Sequence, residues 1–326
     1  MKSNKLGRDG AAVSTVTLGC GTFGGVGSPA HLIGRGLDRD ASWATMDEAV
    51  VLGITLFDTA NSYAGGASER FIAGWLESQS AETRGRIQLS TKVGNVVTEM
   101  GVRVDLSPRN IIEQLSVSVE RLGTGRVDFC LAHDFDAETP IESTLDGFAE
   151  AIRSGLVSQI GACNINAEQL SRALQASERL GLPRYEWIQN EYNLLNRRDE
   201  HELLELCARH DLGYTPFSPI AGGRLSGKYV RGEPPPPDSR LALRPDGSVT
   251  SDAYFTALAR LEQEAARRGC RTGALALAWV LSHPRVTSAV FGPARRAEHL
   301  QLAREALAIE LTEADRLEIG SWFERQ

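Results

Sequence analysis

No apolar run in this chain reaches the ~18 residues that cross a bilayer, and MKSNKLGRDGAAVS at the N-terminus has no signal-type apolar stretch. The six histidines include no HxH pair, and the five cysteines (Cys20, Cys130, Cys163, Cys207, Cys270) form no CxxC. Neither a metal site nor a disulfide framework is therefore expected; scattered cysteines in odd number read as small core residues. Basic excess is also missing, since 42 acidic residues against 35 basic ones give a net charge of −7. Nothing in that balance draws the chain to nucleic acid or to anionic lipid. A cytoplasmic protein without nucleic-acid or membrane partners is expected. Lysine is scarce, with Lys2, Lys5, Lys92 and Lys228 alone among 35 basic residues. A lysine in a suggestive place therefore stands out.

What is present is a long chain with an ample core: 326 residues, 42% of them hydrophobic. That exceeds an ordinary domain of roughly 100–200 residues and is close to one α/β barrel, about 250 residues plus insertions. Short apolar runs alternate with helical periodicity. Strands are predicted at 16–20, 55–58, 87–92, 127–133, 156–163, 185–189, 212–218 and 288–292. Helices are predicted at 40–53, 67–78, 107–123, near 142–154, at 167–181, near 199–211, near 252–269 and at 297–307. Extra helical pieces fall near 273–282 and 312–325. Ser107 reads as an N-cap with Pro108 at the first helical position. Continuous apolar strands joined by helices imply a parallel sheet, and eight such units favour a single-domain (β/α)8 barrel. Two insertions, 25–40 and 228–251, leave the C-terminal ends of strands one and seven. They are candidate lids or plain surface loops.

Two phosphate motifs are decoys. Gly19-Cys20-Gly21-Thr22-Phe23-Gly24 matches GxGxxG, but a Gly/Pro-rich loop follows where a dinucleotide fold needs a helix. The segment 222–229 nearly completes a Walker A motif, yet Tyr229 stands where Ser or Thr must bind Mg²⁺. Its amides, Arg224 and Lys228 still suit an anionic group, or a glycine-rich turn with solvated charges.

The polar strand ends carry the chemistry. Asp58 closes strand two, Lys92 strand three and His133 strand four, while Tyr63 lies in the loop above Asp58. Each alone has an ordinary explanation as a cap, a solvated lysine, a core histidine or a rim aromatic. A carboxylate, an ammonium and an imidazole at successive buried strand ends must pair, because burying them uncompensated would cost several kcal/mol. Tyrosine, with a reference pKa of about 10, is a poor acid at pH 7. A neighbouring ammonium predicts that value lowered by ~1–3. Asp58 would hold Lys92 charged, and His133 would orient a carbonyl oxygen. Such an assembly gives a proton to a carbonyl under reduction, while hydride must come from a cofactor.

These residues resemble the aldo-keto reductase family. Phe57-Asp58-Thr59-Ala60-Asn61-Ser62-Tyr63 with Ala64-Gly65-Gly66-Ala67-Ser68-Glu69 is similar to its first signature, and LSTKVG (89–94) and DFCLAHDFD (128–136) to the strands carrying its lysine and histidine. The resemblance runs from about Thr15 to about Leu307. It implies a catalytic tetrad of Asp58, Tyr63, Lys92 and His133, and NADPH or NADH lying across the barrel mouth. It further implies cofactor contacts from Gly21, Thr22 and Phe23, from Asn164 (with Cys163 in place of the usual serine) and from Gln189. Phe217 stands where a tyrosine usually stacks on the nicotinamide, and Ser218, Pro219, Ile220, Gly222, Arg224 and Lys228 resemble the pyrophosphate loop. In the adenosine segment, Leu302 and Ala303 replace the usual Glu-Asn, so Arg295 and Arg296 are the candidates for a 2′-phosphate, which favours NADPH. The GRGLDRD stretch of loop 25–40 is similar to actinobacterial deoxysugar-pathway reductases, so a nucleotide-linked keto sugar joins aldehydes and ketones as the expected substrate, with His31, Arg35 and Arg39 as possible contacts. Other readings of the pattern are an NAD-dependent sugar dehydrogenase, a Schiff-base aldolase using Lys92, and a non-catalytic nicotinamide-sensing subunit. Oligomeric state is not readable.

Overall fold

Side chains alternate along a strand, so a barrel strand buries one set of residues against its helices and the other inside the barrel. In the computed structural model, which describes residues 1–8, 10–99, 101–237, 239–243, 251–293 and 297–323, eight parallel strands do this. They are β1 (Val16–Gly19), β2 (Leu56–Asp58), β3 (Gln88–Val93), β4 (Val127–Ala132), β5 (Val157–Cys163), β6 (Trp187–Gln189), β7 (Gly213–Tyr214) and β8 (Ala289–Phe291). Their hydrogen-bonded order is β7-β6-β5-β4-β3-β2-β1-β8. Closure from β7 to β8 uses residues around the end of the short β7: Thr287 N donates to Tyr214 O and Val290 N to Pro216 O, both at 2.8 Å, and Phe217 bridges Val290. The predicted strand 212–218 is cut to two residues, and Pro216, which has no N–H to give a ladder, stands just beyond it. The chain is a (β/α)8 barrel, as its alternation predicts.

The surrounding helices are α1 (Arg39–Leu52), α2 (Ala67–Ser78), α3 (Pro108–Leu122), α4 (Ile141–Arg153), α5 (Ala167–Leu180), α6 (Leu203–Arg209), α7 (Asp252–Arg267), α8 (Thr272–Leu281), α9 (Gln301–Leu307) and α10 (Glu313–Ser321). Ser107 caps α3 by accepting from Asn110 N, and Pro108 opens it. The helix predicted near 199–211 is broken into a turn, Arg198–Glu200, and the shorter α6. The cause is Asp199, which is buried and accepts from Asn190 Nδ2 and Tyr214 Oη, both at 2.8 Å. Holding that carboxylate inside draws the backbone off the helical path.

Two hairpins escape the periodicity reading. Ser3–Lys5 pairs antiparallel with Ala12–Ser14, and Leu6 and Val13 join Leu56, Phe129, Leu131 and Trp187 in one apolar cluster. Among those strand residues, Leu56, Leu131 and Trp187 lie two positions before Asp58, His133 and Gln189, so stepping along the same inward face leads from an apolar layer to a polar one. Gly161 admits the Trp187 ring; a Cβ there would lie 2.8 Å from it. The second hairpin, Asn95–Thr98 with Gly101–Val104, follows β3.

The insertion 25–40 is packed as a wall against the first-strand turn. Leu37 N donates to Thr22 O and Gly24 N to Leu37 O, both at 2.7 Å, while Val26, Leu32 and Leu37 are buried. Gly27 O accepts Ala64 N at 3.0 Å, tying the wall to the turn after Tyr63. Of the second insertion, residues 238 and 244–250 lie outside the described residues.

Candidate active site

Asp58, Lys92 and His133 converge where the inward face turns polar. Lys92 is 1% exposed, and its Nζ donates to Asp58 Oδ2 at 2.5 Å, to Thr59 O at 3.0 Å and to Tyr63 Oη at 3.4 Å. The ammonium also lies 5.1 Å from the centre of the Tyr63 ring. Tyr63 is half-buried and meets His133 edge to face, ring centres 5.5 Å apart. All four residues singled out in the sequence are thus brought together.

Burial opposes the Lys92 charge, but Asp58, together with the Tyr63 and Cys163 side chains, more than offsets it and holds the amine above its usual range. His133 is 8% exposed; burial first, and the nearby Lys92 charge second, lower its pKa to about 3. Its imidazole is neutral at pH 7. Nδ1 is buried with no hydrogen-bond partner among the described residues; a hydrogen placed there would be stranded, which favours the tautomer with its hydrogen on Nε2. The expectation for Tyr63 is corrected. Desolvation is the larger effect and raises the phenol above its ordinary value, although Lys92 acts to lower it. The phenol therefore keeps its proton, as a donor must.

Around these four, Gln189 is buried and its Nε2 lies 3.4 Å from Asp58 Oδ1. Asn164 takes a left-handed φ of 55° and donates to His133 O at 3.0 Å. Cys163 is buried with its thiol pushed up by desolvation, 4.0 Å from Gln189 Oε1. A cavity of about 430 Å³ lies behind the site, between α4 and α5 and beneath the 134–140 loop, with Cys163 on its wall.

Next to β7, Ser218 (φ 53°), Ala221 (51°), Gly222 (63°) and Gly223 (94°) are all left-handed. Strain of this kind in non-glycine residues collects at ligand sites, and amides turned this way form anion-binding nests. A Cβ on Gly223 would fall 2.5 Å from Lys228 Nζ and one on Gly222 3.1 Å from Arg240 Cδ. Bare backbone flanked by two cations fits a diphosphate, so the residues present suit a nicotinamide dinucleotide. Arg224 instead turns back, its Nε donating to Ala221 O at 3.0 Å. Arg240 was missed by sequence reasoning, and only its position after the PPPP run could have pointed to it. Phe217 is half-buried, with Pro219 buried and Ile220 half-buried beside it. In the first-strand turn, Gly21 packs against the Tyr63 ring. Thr22 Oγ1 donates to Pro293 O at 2.8 Å, and Phe23 is wholly buried. A ligand would meet that turn through its backbone. Arg295 and Arg296 lie outside the described residues. Leu302 packs on Gly273, and Ala303 is fully buried.

Three comparisons bear on this geometry. The model of the aldo/keto reductase family matches residues 15–321. The chain is 30% identical to an uncharacterized oxidoreductase of Bacillus subtilis (strain 168), covering 95% of this chain and 92% of that protein. It is 32% identical to the L-glyceraldehyde 3-phosphate reductase of Escherichia coli (strain K12), covering 85% and 82%. It is also 32% identical to a probable voltage-gated potassium channel subunit beta of Arabidopsis thaliana, over 91% and 89%. In fold, it is similar to the glycerol dehydrogenase of Gluconobacter oxydans, with a TM-score of 0.82 over 98% of this chain and 94% of that one at 24% identity.

Proposed function

Because the chain belongs to the aldo/keto reductase family, an NAD(P)H-dependent class of carbonyl reductases, we propose that it reduces a small-molecule carbonyl with NADPH and that Tyr63 supplies the proton. The observation that carries this reading is the Lys92 ammonium, fixed by Asp58 at 2.5 Å and directed to Tyr63 Oη at 3.4 Å. The cofactor, when bound, supplies the hydride that no side chain can supply. The neutral His133 offers its Nε2 hydrogen to the carbonyl oxygen and orients it. As negative charge grows on that oxygen, the Tyr63 hydroxyl gives up its proton, and Lys92 stabilises the phenolate left behind. Solvent then restores the phenol.

An aldolase acting through Lys92 fits less well, since imine formation needs a neutral amine and Asp58 keeps this one protonated. NADPH is favoured over NADH because Leu302 and Ala303 are packed inward, which leaves discrimination to a 2′-phosphate held by Arg295 and Arg296. Among substrates, a nucleotide-linked keto sugar would meet His31 and Arg35, which are exposed on the wall. Arg39 is instead paired with Asp40 at 3.0 Å and lies over the Trp43 ring.

The test is a panel of aldehydes, ketones and keto sugars with each cofactor, followed by absorbance. Tyr63→Phe is expected to reduce turnover by about 10²–10⁴-fold and to leave NADPH affinity nearly unchanged; near-wild-type turnover would remove Tyr63 from the role. Fluorescence titration of the Arg295→Ala/Arg296→Ala double variant is expected to show weakened NADPH binding and little change for NADH. Equal losses for both cofactors would sink the phosphate assignment.

A further inference from the structure

Glu69 lies in the first turn of α2 and is fully buried, yet it is an acid in a protein interior. Its Oε1 accepts from Thr91 Oγ1 at 2.9 Å and its Oε2 pairs with Arg121 Nη1 at 3.0 Å. Thr91 is the residue before Lys92 on β3. Arg121 reaches in from the end of α3, and the same Nη1 donates to the carbonyl of Asn61 at 2.9 Å. Asn61 stands two residues before Tyr63; its amide donates to Lys92 O at 3.0 Å, and its side chain to Gln114 O and Ser118 Oγ of α3. These bonds form a closed ring, Thr91 to Glu69 to Arg121 to Asn61 and back to the Lys92 backbone. The ring holds both the strand that carries the ammonium and the loop that carries the phenol.

The loop needs such a hold. Between Tyr63 and Glu69 three successive residues, Ala64, Gly65 and Gly66, take left-handed φ of 48°, 62° and 84°. For alanine that conformation is strained and persists only when its surroundings impose it. The Arg121 guanidinium is tucked under this turn, where a Cβ on Gly66 would collide with it. The contact it serves is long, 3.4 Å from Lys92 Nζ to Tyr63 Oη, so a shift of a few tenths of an ångström would break it.

We propose that Arg121, acting through the buried Glu69, is a positioning residue that sets the distance between Tyr63 and Lys92. The proposal rests on Tyr63 being the proton donor. A pair that served stability alone would be replaceable by any neutral pair that keeps the fold. A pair that places the phenol would not be, because a misplacement near 1 Å at a reacting group costs about 10²-fold in rate.

Two variants separate these cases. Arg121→Met combined with Glu69→Gln removes both charges at once, so no unpaired carboxylate is left inside, and the introduced amide oxygen can still accept from Thr91. Arg121→Lys keeps a charge for Glu69 but carries it on a shorter, compact ammonium, without the guanidinium plane that lies under Gly66. Each is assayed with NADPH and 4-nitrobenzaldehyde for kcat, KM and the solvent deuterium isotope effect on kcat, alongside thermal melting. The expected result, in whichever variant melts like wild type, is a kcat lower by about 10–100-fold, KM values within about twofold, and a larger isotope effect as proton transfer becomes the slow step. Wild-type kcat and isotope effect in a folded variant would overturn the proposal. Failure of both variants to fold would also overturn it, by making the pair a stability element. Tyr63→Phe run in parallel keeps the two readings apart: if it retains turnover the donor assignment fails, whereas an inactive Tyr63→Phe beside fully active Arg121 variants defeats the positioning role alone.

Discussion

At the scale of single residues, the site depends on a charge held where water does not reach. Lys92→Met removes that charge and leaves Asp58, 3% exposed, without its partner. Breaking a buried pair from one side costs about 3–5 kcal/mol, whereas removing both partners is often near neutral. Calorimetry is expected to show a clear loss of stability for Lys92→Met and a partial recovery on adding Asp58→Asn, with neither variant active. Unchanged melting of the single variant would mean that Asp58 is not desolvated. The meeting of Asp58, Lys92 and His133 was legible from the sequence because they close successive strands of one parallel sheet, whose ends lie side by side, and Tyr63 stands in the loop just above Asp58. The sign of the Tyr63 shift was not legible. It is the difference between burial and a neighbouring charge, and sequence supplies the charge but not the depth. The Glu69–Arg121 pair was equally hidden, since its partners are 52 residues apart on helices whose relative rotation no local pattern encodes.

At the scale of elements, helix boundaries were read to within a residue or so where caps mark them, as at Asp38 and Gly53 around α1 or Ser107 and Gly123 around α3. They failed where a tertiary bond wins over local preference, as Asp199 does before α6. The hairpin Ser3–Lys5 with Ala12–Ser14 was missed because its strands are three residues each and show too few alternations to count. Yet it carries Leu6, 0% exposed, into the apolar layer beneath the site. Leu6→Ala should therefore destabilise the fold by about 2–5 kcal/mol, as for other buried leucines. Turnover below the melting range should be unchanged, because that layer lies one full step along the strands from Asp58 and His133. A lower kcat at equal folded fraction would show that the two layers are mechanically coupled.

At the scale of the whole molecule, the barrel is not equally strong around its circumference. β4 and β5 are paired from Val127 to Ala132, whereas β7 meets β8 through the Thr287–Tyr214 and Val290–Pro216 backbone bonds, the bond from Tyr214 N to Thr287 Oγ1 at 3.1 Å and the Phe217 bridge. Proteins open locally where such bonds are few. The amides of Thr287 and Val290 should therefore trade hydrogen for deuterium sooner than those of β4, and protection equal to that of β4 would contradict a weak seam. Phe217 and Ser218 stand on one lip of this gap and Pro293 on the other, bonded to Thr22. A dinucleotide that spanned these lips would act as a clasp, binding only the closed form. Ligand at a hundred times its dissociation constant stabilises the form it binds by about 2.7 kcal/mol, enough to slow opening-limited exchange about a hundredfold. In this barrel the step between the last two strands would then be sealed by the cofactor, and the cell's nicotinamide pool would govern how often it gapes.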